Sequence, residues 1–100
     1  MRGTVSVLAE PVAPDALRRI IREALATGTV SFSRHACGEL EKDRKTTGDA
    51  INVLRGGVVR AGERENGSWR YRVETARMVV VIAVRSESVI VVVTAWKVKS

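Results

Sequence analysis

The spacing of the apolar residues changes at Gly56-Gly57, and this change constrains the fold more than any other feature of the chain. Before the two glycines, apolar residues recur three or four positions apart, as they do along one side of a helix. After them, apolar and polar residues alternate or form short valine-rich runs, which is typical of strands. Helices first and strands second predict an α+β fold, with two to three N-terminal helices packed on one face of a four-stranded antiparallel meander.

The first predicted helix covers residues 15–27. Its apolar residues form one stripe, and Arg18, Arg19 and Arg22 lie off that stripe, so we expect them to face water. Residues 1–14 precede it and are expected to form an arm, either flexible or added to the sheet as a strand. We therefore divide the chain into this arm and a single domain over residues 15–100.

Two further helices are predicted before the glycines. Ser33 suits the N-cap of a helix over residues 34–44, and the segment with Val30 and Phe32 before it is expected to be a short extended link. Residues 46–49 resemble a capping box that opens a third helix, which ends at Gly56-Gly57.

Four strands are predicted after the glycines, at residues 58–64, 68–74, 77–85 and 88–97. In the second of them Trp69, Tyr71 and Val73 point one way, towards the helices, and Arg70 and Arg72 point the other way.

The turn at Asn66-Gly67 decides where the arginines of the first strand point. A two-residue turn would place Arg60 and Arg64 on the buried, aromatic side, which is costly without partners. A three-residue loop with Gly67 in a left-handed bulge shifts the register by one residue. We prefer the bulge, because Val59 and Ala61 then join the core. The residues that it places on the outer face with Arg70 and Arg72 are Arg60, Gly62 and Arg64. These arginines could bind a phosphate chain, or Glu63, Glu65 and Glu74 could neutralise them.

The last two strands are apolar on both faces. The alternation places Met78, Val80, Ile82, Val84, Val89, Val91, Val93 and Ala95 towards the helices. It leaves an outer patch of Val79, Val81, Ala83, Ile90, Val92, Thr94 and Trp96. A patch of this size usually marks an interface, so we expect the arm, a second copy or a partner protein to cover it.

Charge and composition limit the function classes. Seventeen Lys and Arg against eleven Asp and Glu give a net charge of +6, which favours a polyanionic partner such as RNA. The single cysteine, Cys37, excludes a disulfide framework within the chain, and we expect it to be a buried structural residue. We expect no cofactor, no metal site, no signal peptide and no membrane span, and a cytoplasmic location.

Candidate chemistry follows from the arginines and from the one histidine. RNA can be cut without a metal, because its 2′-hydroxyl is the nucleophile and the protein supplies a base, an acid and cations. We take His35, Arg60 and Arg70 as the candidate catalytic residues. His35, Tyr71 or a glutamate could be the base, and His35 could instead be structural, bonded to Glu39. The candidate RNA-binding residues are Arg64, Tyr71, Arg72, Trp96 and Lys97.

Several segments, in order, resemble the RelE-like superfamily of bacterial toxins, and in particular the MqsR type and an uncharacterised bacterial domain family with a Ser-Arg-His-Ala motif. They are Ser33-Arg34-His35-Ala36, Asp49-Ala50-Ile51-Asn52-Val53-Leu54-Arg55-Gly56-Gly57, Ser68-Trp69-Arg70-Tyr71-Arg72-Val73 and Val91-Val92-Val93-Thr94-Ala95-Trp96. The resemblance covers residues 15–97 and implies a RelE/barnase-like fold.

The resemblance also implies an activity, that of an endoribonuclease toxin held inactive by a cognate antitoxin. It implies active-site roles for Arg60 and Arg70, and a tyrosine on the third strand where this chain has Met78-Val79-Val80. Two rival hypotheses are a nucleic-acid-binding module without catalysis and a protein-interaction domain that forms a homodimer.

Overall fold

The structure is a computed structural model and describes residues 8–99. It confirms the α+β class, with three helices and a mostly antiparallel sheet of six strands rather than four. The helices are α1 (Pro14–Ala26), α2 (Arg34–Lys42) and α3 (Thr47–Gly56). The strands are β1 (Thr29–Phe32), β2 (Val58–Val59), β3 (Glu63–Glu65), β4 (Ser68–Glu74), β5 (Met78–Ser86) and β6 (Val89–Lys97).

The two predicted helix caps are present. The Ser33 hydroxyl accepts a hydrogen bond from the Ala36 amide at 3.0 Å and begins α2. Thr46 and Asp49 form a capping box, in which each side chain accepts from the other residue's amide. The bond from the Thr46 amide is the main reason that the pKa of Asp49 lies below its ordinary value. These local signals explain why both helices begin where the sequence predicts.

Arg18 does not face water as predicted. Its guanidinium donates to the carbonyl of Leu54 at 3.1 Å and to the carbonyl of Gly57. These groups lie at the end of α3, where helix carbonyls lack partners within the helix. Arg18 therefore connects α1 to the end of α3 and to the start of β2.

The strands run in the order β1-β6-β5-β4-β2, and β3 pairs with the first part of β4. The segment predicted as an extended link is the edge strand β1, which runs parallel to β6. All three helices contribute to one core on one side of this sheet. We call the other side the open face. The fully buried core residues of the sheet include Tyr71, Val73, Val80, Ile82, Ile90, Val92 and Ala95.

A bulge in β6 corrects the predicted orientation of its first half. Val81 pairs with Thr94, but Ile82 pairs with Val92, so one residue of β6 has no counterpart in β5. The bulge reverses the alternation before it, and Ile90 and Val92 therefore point into the core. The residues predicted to face the helices, Val89, Val91 and Val93, are half-buried instead.

The turn between β3 and β4 is the two-residue turn, so the preferred bulge at Gly67 is wrong. Asn66 and Gly67 have φ angles of 51° and 82°, the two positive values that the favoured hairpin turn requires. Arg64 consequently pairs with Trp69 and lies over its ring, 5.7 Å from the centroid. The free-energy cost of burying the Arg64 charge does not arise, because the side chain is exposed at this end of the hairpin.

The extra residue lies nearer the start of the hairpin. Val59 pairs with Val73, and the Arg60 amide donates to the Arg72 carbonyl, so Val59 and Arg60 have the predicted positions. Between this pair and Glu63, which pairs with Arg70, the register shifts by one residue. Ala61 is exposed instead of joining the core, and Gly62 lies against the rings of Trp69 and Tyr71 instead of on the open face.

The described part of the predicted arm is tied to the fold. Residues 1–7 lie outside the described residues. Val12 is buried, its amide donates to the Tyr71 hydroxyl at 3.0 Å, and that hydroxyl donates to the Glu10 carboxylate at 2.8 Å. In the described part of the chain, none of the helices has the length and apolarity needed to cross a bilayer.

Candidate nucleic-acid interface

Three arginines on β4 and just after β2 lie on the open face, as the sequence predicts. Two of them have acidic partners. Arg60 Nε lies 3.3 Å from Glu74 Oε1, and Arg72 Nε lies 3.9 Å from Glu63 Oε1. These exposed pairs are weak, because solvent screens them and the long side chains lose conformational freedom. A polyanion could therefore displace either carboxylate at small cost.

Arg70 is the third arginine, and it differs from the other two. It is half-buried, and its guanidinium donates to the Trp69 carbonyl at 3.2 Å. Within residues 8–99 no carboxylate oxygen lies within 4.0 Å of it. A cation fixed in this way is ready to bind a phosphate without first losing an acidic partner.

A groove of about 120 Å³ on the open face is lined by two of the three arginines, and Arg60 lies outside it. Arg70 and Arg72 form part of its wall with Glu63, and Val81, Val93, Thr94 and Trp96 continue it across β5 and β6. The Arg72 guanidinium lies 5.4 Å from the centroid of the Trp96 ring. Cations for phosphate, a ring on which a base can stack and a carboxylate that can accept a proton thus lie in one groove.

Comparison of the chain with protein-family models, with curated proteins and with solved structures finds no match. Within the described range, no three His, Cys, Asp or Glu side chains come together as metal ligands would.

His35 does not join the arginines. It is exposed near the start of α2, which follows β1, and β1 stands three strand positions from β4. At the usual spacing between strands, the end of β1 and the backbone of Arg70 are about 14 Å apart. The bond from His35 to Glu39 is not formed either, since the Glu39 carboxylate pairs with Lys42 at 3.1 Å. His35 is thus poorly placed to act as the base for a phosphate bound by Arg70.

Three other candidate residues also lie away from the groove or at its margin. Tyr71 is fully buried, so its ring is not available to RNA, which corrects its assignment as an RNA-binding residue. Lys97 pairs with Met78 and therefore projects from the helix side of the sheet, opposite to the arginines. Arg64 lines the groove from the hairpin, although its partner is the ring of Trp69.

The large apolar patch predicted on the open face is not exposed to solvent. Val79, Val81 and Ala83 point to this face but are only 7%, 8% and 3% exposed. The side chains of β4 and β6 flank them, and the β6 bulge turns Ile90 and Val92 into the core. Among residues 8–99, the exposed large apolar side chains are Val58 and Val98. The patch therefore no longer argues for a covering partner or a homodimer.

Two findings concern residues whose roles the sequence did not indicate correctly. Glu63 was expected only as a residue that could neutralise the arginines, although the Asn66-Gly67 dipeptide is a strong hairpin signal that places it opposite Arg70. Cys37 is exposed on α2 rather than buried.

Proposed function

We propose that the protein is a metal-independent endoribonuclease that binds single-stranded RNA along the groove of the open face and cuts it there. The observation that carries this proposal is that Arg70, Arg72, Glu63 and Trp96 line the same groove. The excess of positive charge agrees with a polyanionic substrate. The resemblance to RelE-like toxins adds the biological setting, a bacterial toxin with a cognate antitoxin.

The proposed reaction uses the RNA's own nucleophile. Glu63 accepts the proton of the 2′-hydroxyl, the 2′ oxygen attacks phosphorus, and the bond to the 5′ oxygen breaks. The products are a 2′,3′-cyclic phosphate and a 5′-hydroxyl, whose oxygen takes a proton from solvent. Arg70 stabilises the negative charge that develops on the phosphate oxygens. Arg72 provides a second cation for the phosphate beside Glu63, and Trp96 stacks on a neighbouring base.

Glu63 replaces His35 as the proposed base. The carboxylate lies beside the arginines, whereas His35 lies on α2, which packs on β6 and does not line the groove.

The test is RNA cleavage in the presence of a metal chelator, with the chemistry of the product ends determined. We expect cyclic phosphate ends from the wild type and a rate lower by about 100-fold or more for Glu63→Gln, since general bases contribute that much. Glu41→Gln is the matched control, because Glu41 is an exposed glutamate on α2 and the charge change is the same. We expect this control to cut RNA at the wild-type rate.

A second candidate function is RNA binding without cleavage. It is favoured by the acidic partners of Arg60 and Arg72 and by the distance of His35 from the groove. RNA that is bound but stays intact would contradict the nuclease proposal and support this one. The toxin setting has its own test, which is growth arrest of bacteria that express the wild type and normal growth with Arg70→Ala.

A further inference from the structure

A small slot opens beside the groove at the point where β4 and β5 separate. These strands pair from Glu74 and Val79 to Tyr71 and Ile82, and the earlier residues of β4 pair with β3 instead. The space left between them measures about 150 Å³. Its lining includes Glu10, Ser68, Trp69, Arg70, Val84 and Arg85.

Arg70 connects the slot to the groove, because it lines both. A phosphate held by Arg70 in the groove would therefore bring an adjacent nucleotide to the mouth of the slot. The slot has an apolar wall at Val84 and polar groups at Glu10 and Arg85. This combination suits a planar base whose edge carries hydrogen-bonding groups.

Glu10 contributes a carboxylate that is held in place. The Glu10 side chain is exposed, but the hydroxyl of the fully buried Tyr71 donates to its Oε2 atom at 2.8 Å. A carboxylate has about four acceptor positions, and the tyrosine occupies one of them. In the part of the chain described, no Lys, Arg or His nitrogen lies within 4.0 Å of Glu10, so both oxygens retain acceptor capacity.

We propose that the slot is a base-recognition site for guanine and that Glu10 is its specificity-determining residue, an inference that rests on the proposed RNA-binding function. Guanine presents two neighbouring donors on one edge, N1–H and the N2 amino group, which match the two oxygens of a carboxylate. Adenine and cytosine place a ring acceptor next to their amino group, and the carboxylate would repel it. Uracil has a single N–H between two carbonyls. Tyr71 acts as a positioning residue through Glu10.

The experiment measures the affinity of short RNAs with one central guanine or adenine in a uracil background. The RNAs carry 2′-O-methyl groups, which remove the nucleophile and prevent cleavage. We expect the wild type to bind the guanine RNA at least about fivefold more tightly, the lower end of what a bidentate contact provides. We expect Glu10→Gln to lose this preference and to bind the adenine RNA as the wild type does. The control Glu41→Gln should keep the preference.

The outcomes separate this proposal from the proposed function. Equal affinity of the wild type for both RNAs would overturn the guanine site while leaving RNA binding intact. A preference for guanine that survives in Glu10→Gln would overturn the role of Glu10. If neither RNA binds, the proposed function fails and the guanine site fails with it. Thermal unfolding checks that Glu10→Gln is folded, which we expect because the amide oxygen can still accept from Tyr71.

Discussion

Tyr71 is the residue on which the described arm, the core and the hairpin meet. Its ring is fully buried, its hydroxyl bonds to Glu10 and to the Val12 amide, and Gly62 lies against its edge. Alternation along β4 predicts the direction of the ring correctly. The two partners of the hydroxyl lie about 60 positions earlier, and no local pattern in the sequence indicates them.

The pKa of Tyr71 gives a prediction about alkaline stability. Burial, the largest cause, raises the pKa from its ordinary value of 10.0 to about 12; the Val12 amide opposes the rise and Glu10 adds to it. Between these two pH values the unfolded chain loses the proton while the folded protein keeps it. The free energy of unfolding should therefore fall by up to about 1.4 kcal/mol per pH unit in this window, and the contribution is fully present below pH 10.

The comparison that isolates this effect is urea unfolding of wild type and Tyr71→Phe from pH 8 to 11.5. Lysines titrate in both proteins, so only the difference between them reports on Tyr71. We expect the wild type to be more stable at pH 8 and its advantage to shrink above pH 10. Two stability curves that stay parallel up to pH 11.5 would show that Tyr71 ionises as freely in the folded protein as in the unfolded chain.

At the scale of elements, the hairpin of β3 and β4 shows how an extra residue determines which side chains reach the groove. The tight turn places Glu63 opposite Arg70. The one-residue register shift between Arg60 and Glu63 lets Val59 pair with Val73 and face the core. The shift needs a residue without a side chain at position 62. A Cβ atom there would lie 2.6 Å from Tyr71 Cε2, far inside normal contact.

Gly62→Ala should therefore destabilise the protein by about 1–3 kcal/mol, because the buried Tyr71 ring has little room to move. The control is Gly56→Ala at the end of α3, where a Cβ would meet nothing within 4 Å. We expect this control to be neutral or slightly stabilising. Urea unfolding at pH 7 measures both variants, and equal stability of the two would contradict the packing of Gly62 on Tyr71.

The elements differ in how well the sequence predicts them. The starts of α2 and α3 follow from caps that involve residues at most three positions apart, so local reasoning is sufficient. The faces of β6 do not follow, because one bulge reverses every side chain before it and valines on both faces leave no signal of where it lies. β1 is missed as a strand because its pairing partners in β6 lie 60 residues later.

At the scale of the whole molecule, the helices cover one face of the sheet, and the arginines lie on the other face. The sequence predicts this division and the positions of Arg60, Arg70 and Arg72. It does not predict that Glu63 and not His35 lies beside these arginines, because this depends on the strand order, which places β1 at one edge of the sheet and β4 near the other. Which residues of different strands lie close together depends on the order of the strands in the sheet, and the local spacing of apolar residues does not indicate that order.

The proposed binding of RNA to the groove through Arg70 can be measured as RNA affinity at a series of salt concentrations. Single-stranded RNA is titrated with wild type, Arg70→Ala and Arg22→Ala, the last an exposed arginine on the helix side. We expect Arg70→Ala to bind about tenfold more weakly at low salt and to reduce the salt slope by about 0.7, the value for one phosphate contact. Arg22→Ala should match the wild type. Equal weakening by both substitutions would contradict binding through Arg70, because affinity would then depend on net charge and not on the groove.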